Sequence, residues 1–506
     1  MELSTLLFPD EYTSSCSARG IEISSVCHRG DQITKGCLFI CIRGTRYDSH
    51  SLLRTAQAGG AAAALVEQGA DYTAPADLPI FIVPSTRRAM AMIYNRWYHC
   101  PASGMHLIAV TGTNGKTSTS TMLYTILTAC GKRAALIGTV ACHSEEKNYA
   151  PATAQEGMRA MTTPDPDVLY PMLAGMKADG IEYVIMEASS HALALEKLAP
   201  LHFDAAIFTN LSPEHLDFHG TMKNYLAAKA RLFSQCDCGI LNFDNEYAEE
   251  LARTATCKLL RCGAVYHEQY NAEEIRMRDA DGVSYLYVTP RLKMTVSLPI
   301  PGSFTVYNSL LALTCALHLG IPPLEAKAAL QHMQGVPGRL ERLPLPDEAD
   351  FTVFIDYAHT EAALRNLLTT VRSFRRNGER IVLVFGCGGD RDKSKRAPMG
   401  RAAEELSDYI IITSDNSRTE EPTAIIHDIL KGMRDQSKRR VIVNRRRAIT
   451  YAIHTAQKND MILLVGKGHE DYEFSDGTRH PFDEKSIVRE AFATRTIHKE
   501  KHENPS

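Results

Sequence analysis

Leu107-Ile108-Ala109-Val110-Thr111-Gly112-Thr113-Asn114-Gly115-Lys116-Thr117 is the stretch that decides the fold. Leu107–Val110 reads as a buried strand, and residues 118–130 read as a helix. A glycine-rich turn between them makes a cradle for the phosphates of a nucleotide. Glycines let backbone N–H groups approach phosphate oxygens, and the helix N-terminus adds partial positive charge. Gly112, Thr113, Asn114, Gly115, Lys116, Thr117 and Ser118 are the expected nucleotide contacts. Lys116 is placed to reach the outer phosphates of ATP, and the Thr117 hydroxyl to ligate Mg²⁺. The pattern departs from the common phosphate loop, which has a glycine where this chain has Val110. The reading therefore rests on context: a Lys-Thr pair opening a helix directly after a buried strand.

Composition narrows the class. The 506 residues exceed one typical core, and roughly three domains is the prior for that length. Lys and Arg number 56 against 59 Asp and Glu, a net charge of −3, which argues against a dedicated nucleic-acid binder. No apolar run approaches the roughly 20 residues of a membrane helix, and no secretory leader is read at the N-terminus. The thirteen cysteines are scattered and odd in number, which suits free thiols in the cytoplasm. Cys236-Asp237-Cys238 lacks a second cluster at zinc spacing and reads as structural. The basic runs Lys438-Arg439-Arg440 and Arg445-Arg446-Arg447 read as solvated surface.

The expected fold class is α/β in three domains. Residues 1–102 form a small N-terminal α/β domain, with a strand at Cys37–Ile42 and an Ala/Gly-rich helix around Ala56–Ala64. Residues 103–336 form a central phosphate-loop, parallel-sheet ATPase domain with strands at 184–186, 205–208 and 239–241. Within it, alternation over 275–300 around Asp281-Gly282 predicts a hairpin. Residues 337–506 form a Rossmann-like C-terminal domain with five strand candidates, at 353–355, 381–384, 410–412, 441–443 and 462–465. In such sheets ligands bind beyond the carboxyl ends of the strands. There the chain places Asp356–His359, Gly386–Asp392, Ser414–Arg418 and Gly466–Glu470.

Two polar segments follow central-domain strands: Glu187-Ala188-Ser189-Ser190-His191, and Asn210-Leu211-Ser212-Pro213-Glu214-His215-Leu216-Asp217-Phe218-His219-Gly220. Both are expected to open on the sheet edge that carries the phosphate loop. A carboxylate and an imidazole there suit Mg²⁺ held between ATP and a second substrate.

Taken in order, Gly112–Thr117, Glu187–His191, Asn210–Gly220 and Asp356–Thr360 resemble the motifs of the Mur ligases. These are ATP-dependent amide-forming enzymes of peptidoglycan precursor synthesis, and the resemblance covers nearly the whole chain. It implies an ADP-forming acid–amino-acid ligase, monomeric and cytoplasmic, with no nucleic-acid or membrane partner. It further implies transfer of the γ-phosphate to a carboxylate, then attack by an amine on the acyl phosphate. By resemblance Thr117 and Glu187 bind one Mg²⁺ and His215 a second. Lys229 matches a lysine that is carbamylated to hold metal, and Lys116, Lys229 and His215 are the implied catalytic groups. Asn308, Arg339, Asp356 and His359 resemble further nucleotide contacts. Thr162, Thr163, Ser189 and Lys197 fall on the muramoyl-peptide side.

The added amino acid is read from Ser414-Asp415-Asn416-Ser417-Arg418. Family members that add diaminopimelate carry Asp-Asn-Pro-Arg here, so Ser417 replaces a proline while Arg418 remains. A guanidinium suits the distal carboxylate that lysine lacks. Arg391, Asp415, Asn416, Ser417, Arg418, Gly466 and Glu470 are the implied contacts, with Glu470 receiving the distal ammonium. The implied substrates are UDP-N-acetylmuramoyl-L-alanyl-D-glutamate and meso-diaminopimelate. Departures cluster on the nucleotide-sugar side: Arg29-Gly30-Asp31 stands where Asp-Ser-Arg is usual, Met161 replaces an asparagine, and Leu195 and Lys197 replace glutamine and arginine. Ser417 in place of proline keeps L-lysine open, and these departures keep open another acceptor or a non-catalytic nucleotide-sugar-binding paralogue.

Overall fold

Residues 1–44, 47–140, 142–150, 161–333 and 335–503 are described in a computed structural model. The chain divides into two compact units, Met1–Glu268 and Gln269–Ser506.

The first unit opens with a four-stranded parallel sheet in the order β1 (Ser25–Cys27), β2 (Cys37–Ile40), β3 (Ala63–Glu67) and β4 (Ile80–Val83). The helix read around Ala56–Ala64 is corrected. It spans Leu53–Ala58 and stops at Gly59-Gly60, where Gly60 takes φ +80. Ala63 and Ala64 then enter β3, where burial in a covered parallel sheet overrides alanine's helix preference.

The larger sheet of this unit uses β5 (His106–Thr111), β6 (Ala134–Ile137), β7 (Cys142–His143), β8 (Tyr183–Glu187), β9 (Phe203–Phe208), β10 (Cys236–Asn242) and β11 (Lys258–Gly263). They lie in the order β11-β10-β9-β5-β8-β6-β7, parallel except for β7. Leu107, Ile108, Ala109 and Val110 are at most 2% exposed, so β5 is covered on both faces. Its neighbours β8 and β9 run parallel to it, and all three deliver their following loops to one edge.

The second unit begins with β12 (Tyr270–Met277), β13 (Val283–Val288) and β14 (Lys293–Leu298). The hairpin expected around Asp281-Gly282 is one half of an antiparallel meander of three strands. The helices Ser303–His318 and Pro323–Gln331 pack on it. Next come β15 (Glu341–Arg342), β16 (Thr352–Asp356), β17 (Arg380–Phe385), β18 (Tyr409–Ile412), β19 (Arg439–Val441) and β20 (Asp460–Val465), in the order β15-β16-β20-β17-β18-β19. All pairs are parallel except β15 with β16. The strand predicted at 441–443 spans Arg439–Val441 and stops short of Asn444, which caps the helix Arg445–His454. A short hairpin, β21 (Tyr472–Ser475) with β22 (Thr478–Pro481), and the helix Glu484–Glu503 complete the chain.

The reading of Arg445-Arg446-Arg447 as solvated surface is corrected for its first residue. Arg445 is 1% exposed. Its Nε donates to Glu484 Oε1 at 2.7 Å, its Nη2 to Val465 O at 3.0 Å and its Nη1 to Ser414 O at 3.3 Å.

Candidate active site

In the first unit the site grows from the turn after β5. Gly112 has φ +151, and a Cβ there would come within 1.9 Å of Thr209 Oγ1, so only glycine fits. The turn is stapled to the loop after β9. Thr113 N donates to Asn210 O (2.8 Å), Asn114 N to Asn210 Oδ1 (3.0 Å), and Thr209 Oγ1 to Asn114 O (2.6 Å). Gly115 has φ +83 and opens the helix Lys116–Ala129. Thr117 and Ser118 are buried in its first turn. Lys116 Nζ folds back to Gly112 O (3.0 Å) and Thr113 O (2.8 Å).

Lys229 meets the same turn from the helix Met222–Ala230, its Nζ donating to Gly112 O at 2.8 Å. It is 1% exposed, so it is not an ordinary helix-surface lysine. Burial pushes its ammonium well below the usual amine range, and the nearby charge of Lys116 adds to the effect. Tyr225 links these groups: its ring lies under the Lys229 ammonium at 4.8 Å, and its hydroxyl is 3.1 Å from Thr113 Oγ1.

Glu187 ends β8 and turns its carboxylate to the phosphate loop. Thr117 Oγ1 donates to its Oε2 at 3.2 Å, while Thr139 donates from N to Oε1 (3.0 Å) and from Oγ1 to Oε2 (3.1 Å). A Cβ on Gly138 would sit 2.3 Å from Oε1, so the turn after β6 is shaped around this carboxylate. Thr139 Oγ1 also lies 3.0 Å from Thr162 Oγ1. Thr163 and Ser189 pair in turn: Thr163 Oγ1 donates to Glu187 O (2.7 Å) and accepts from Ser189 N (3.0 Å). Thr162, Thr163 and Ser189 thus form one polar strip running from Glu187. Sequence reading missed Thr139 and Tyr225; the Gly138-Thr139 step directly after a buried strand was the one signal that could have found the first.

His215 takes a left-handed backbone, φ +56, between Glu214 and the helix Leu216–His219. Its ring centroid is 4.9 Å from that of His191, which lies 5.5 Å from His219. Burial lowers all three imidazoles; for His215 the charges of Lys116 and Lys229 add to this, and Glu214 opposes it. Among the described residues no three His, Cys, Asp or Glu side chains form a ready metal cage. The hydroxyl of Thr117 and the carboxylate of Glu187 converge nonetheless. They are the hard oxygen donors that suit Mg²⁺, an ion that fills the rest of its shell with phosphate and water. Lys197 lies behind this strip: it is 7% exposed and paired to Asp165 at 2.7 Å, with Thr163 O at 3.5 Å and Met161 Sδ at 3.6 Å.

In the second unit the sequence-predicted residues other than Asn308 and Arg339 lie at or follow the carboxyl ends of the parallel strands. Asp356 ends β16, and its carboxylate accepts from Leu340 N (2.7 Å) and Ala358 N (2.8 Å). Burial raises it above the usual range, against the pull of Arg339. The Arg339 guanidinium lies 5.0 Å from the centre of the Tyr357 ring. His359 O accepts from Lys395 Nζ at 2.8 Å, and burial lowers the His359 imidazole. Asn308 is buried in the helix Ser303–His318.

The loops after β18 and β20 meet at Asn416. Its Nδ2 donates to Glu470 Oε2 at 2.7 Å, and its Oδ1 accepts from Phe474 N at 2.9 Å and Lys467 Nζ at 3.0 Å. Asp415 is buried beside Lys467 at 3.4 Å; burial pushes its carboxyl up, but Lys467 and Arg445 bring it below the usual range. Gly466 takes φ +117, and a Cβ there would meet Asp415 Oδ2 at 2.8 Å. Arg418 has φ +55, and its Nη1 donates to Gly389 O at 2.7 Å. Burial raises the Glu470 carboxyl, with Asp415 adding to the shift, while Arg418 is among the cations opposing it. Ser417 is buried in the same loop and Arg391 is exposed on the loop after β17.

A glycine turn held between a parallel strand and a helix, with lysines and a carboxylate converging on it, defines an α/β protein of the phosphate-loop class. The particular family follows from comparison with known proteins. Residues 110–316 match the Mur ligase middle domain and residues 338–468 the Mur ligase, glutamate ligase domain. A protein of Syntrophomonas wolfei named UDP-N-acetylmuramoyl-L-alanyl-D-glutamate--2,6-diaminopimelate ligase is 38% identical over 476 residues, covering 93% of this chain and 94% of its own. One of the same name from Clostridioides difficile is 39% identical over 479 residues, covering 94% and 96%. A solved structure titled as that ligase superposes with a TM-score of 0.69 at 27% identity, covering 98% of this chain and 99% of its own. The chain belongs to the Mur ligase family, whose members are ATP-dependent, ADP-forming amide ligases. Among the described residues no helix is long and apolar enough to cross a membrane.

Proposed function

We propose that this chain joins meso-diaminopimelate to UDP-N-acetylmuramoyl-L-alanyl-D-glutamate at the expense of ATP, a step of peptidoglycan precursor synthesis. The observation that carries the choice of amino acid is the pairing of opposite charges in one loop cluster. The anchored guanidinium of Arg418 and the carboxylate of Glu470 suit the distal carboxylate and distal ammonium of a diamino dicarboxylic acid. Lysine has no second carboxylate to offer Arg418. The full-length relatives bearing this ligase name support the same reading.

The reaction has two displacements. An oxygen of the acceptor carboxylate attacks the γ-phosphorus of ATP; the new O–P bond forms as the bond to ADP breaks, leaving an acyl phosphate. The amine then attacks the acyl carbon, the tetrahedral adduct expels inorganic phosphate, and the amine loses its proton. The backbone of the Gly112–Thr117 turn and Lys116 bind the phosphates. Thr117 and Glu187 would hold one Mg²⁺, and His215 a second. When bound, the metal neutralises charge on the phosphate oxygens. Lys229 has the buried, readily neutral amine that reaction with CO₂ to a carbamate requires, and the carbamate is the anionic form suited to metal. Thr162, Thr163 and Ser189 face the muramoyl-peptide, with Lys197 behind them. Asn308, Arg339, Asp356 and His359 serve the nucleotide, and Arg391, Asp415, Asn416, Ser417 and Gly466 shape the amino-acid loops. On this reading 1–102 is the UDP-sugar domain, 103–336 the ATP domain and 337–506 the amino-acid domain.

The test is product mass after incubation with ATP, Mg²⁺, the UDP-dipeptide and either amino acid. A tripeptide carrying diaminopimelate is expected. An equal yield with L-lysine overturns the assignment of the amino acid.

A further inference from the structure

Lys467 follows β20 and lies between two glycines in left-handed backbone, Gly466 (φ +117) and Gly468 (φ +56). It is fully buried. An ammonium has three donors, and here each faces an acceptor: Tyr472 O at 2.8 Å, Asn416 Oδ1 at 3.0 Å and Asp415 Oδ1 at 3.4 Å. This arrangement leaves the Asn416 amide one orientation. With Oδ1 turned to Lys467 Nζ and Phe474 N, the NH₂ group faces Glu470 Oε2 at 2.7 Å. The flipped amide would set its NH₂ against two donors and its oxygen against a carboxylate. The loop backbones have a separate staple, because Arg445 holds Ser414 O and Val465 O. The contacts of Lys467 to Asn416 and Asp415 are therefore made to side chains that face the amino-acid loops, in addition to backbone support from elsewhere.

We propose that Lys467 is a positioning residue for amino-acid selection: its ammonium fixes the Asn416 amide and, through it, aims the Glu470 carboxylate at the second amine of the incoming amino acid. The inference rests on the diaminopimelate reading given above. Lys467 acts through Asn416 and touches no reacting atom.

The test compares kcat/KM for meso-diaminopimelate and for 2-aminopimelate, which lacks the second amine, in the full-length enzyme. Wild type is expected to prefer diaminopimelate by roughly a hundredfold or more, since a site built to bind a polar group rejects the analogue without it. Lys467→Met keeps an unbranched apolar stem as far as Cε and removes the ammonium with its three donors. It should bring that preference to within about threefold, with KM for ATP changed less than about twofold. An equal loss with both amino acids would show a merely structural role and overturn the inference. Asn416→Asp breaks the same link with Lys467 intact and a new charge partner for it. A carboxylate has no N–H for Glu470, so the preference should fall as in Lys467→Met, and a preserved preference overturns the inference. A wild-type enzyme that turns over diaminopimelate without preferring it, or not at all, overturns the functional reading itself.

Discussion

Lys229 Nζ donates to the carbonyl oxygen of Gly112 at 2.8 Å, so a fully buried lysine is tied to the first glycine of the phosphate turn. Burial first, and Lys116 second, hold its folded pKa well below the ordinary 10.5. Between those two values the unfolded chain binds the additional proton, so stability rises with pH across that window and falls as pH drops through the folded value. Lys229→Met removes this penalty. The variant is expected to melt at or above the wild-type temperature at neutral pH, with a flatter pH dependence. Its phosphate release should fall at least about a hundredfold, as when a group that stabilises transition-state charge is lost. Melting curves and a phosphate assay on the same sample check both halves.

Gly112→Ala places a methyl 1.9 Å from Thr209 Oγ1 and 3.1 Å from the Asn210 backbone, in backbone that L-residues avoid. The hydroxyl that must move also holds Asn114 O. The expected cost is about 2–4 kcal/mol of stability, together with loss of nucleotide binding. Gly131→Ala is the control: φ is +71 but nothing lies within 4 Å, so about 1 kcal/mol is expected and binding persists. Denaturant midpoints and calorimetric titration with ADP separate the two.

Arg418→Ala should leave KM for ATP within about twofold while kcat/KM for the amino acid falls roughly 10²- to 10³-fold, the scale of a lost charge-assisted pair. Arg418→Gly makes the same point with opposite effect on the fold. It relieves the left-handed φ of +55 and should be at least as stable as Arg418→Ala, yet equally inactive toward the amino acid. Steady-state kinetics on both variants, with melting curves, decide it.

Arg445→Met leaves the Glu484 carboxylate, 3% exposed by residue, without the guanidinium that holds it at 2.7 Å. Breaking one side of a buried ion pair costs about 3–5 kcal/mol, and replacing both sides with apolar groups recovers most of it. Arg445→Met alone should therefore unfold at much lower denaturant than Arg445→Met with Glu484→Leu. Equal midpoints would contradict the pairing.

The sites legible in the sequence were those set by one strand and the loop that follows it. Leu107–Thr117 carries its own strand, turn and helix start, and parallel pairing of β5 with β8 and β9 brings Glu187 and Asn210 to its edge. Contacts between distant segments were less visible. Arg445 stands in a run of three arginines, and its burial depends on Glu484, 39 residues away. Lys467 reads as loop polarity in the sequence because its partners, Asp415 and Asn416, come about fifty residues earlier. Ala63 and Ala64 favour a helix by intrinsic propensity, and the stop at Gly59-Gly60 plus burial in β3 overrides it. Lys197 stands where some family members carry arginine, and its ion pair with Asp165, 32 residues earlier, is not visible in the sequence.

The most direct test is phosphate release from ATP and Mg²⁺, measured with and without UDP-N-acetylmuramoyl-L-alanyl-D-glutamate and meso-diaminopimelate. Sustained release that requires both, with one phosphate per tripeptide formed, is the predicted result. Release indifferent to the amino acid, or ATP binding with no release under any combination, would contradict the assigned reaction.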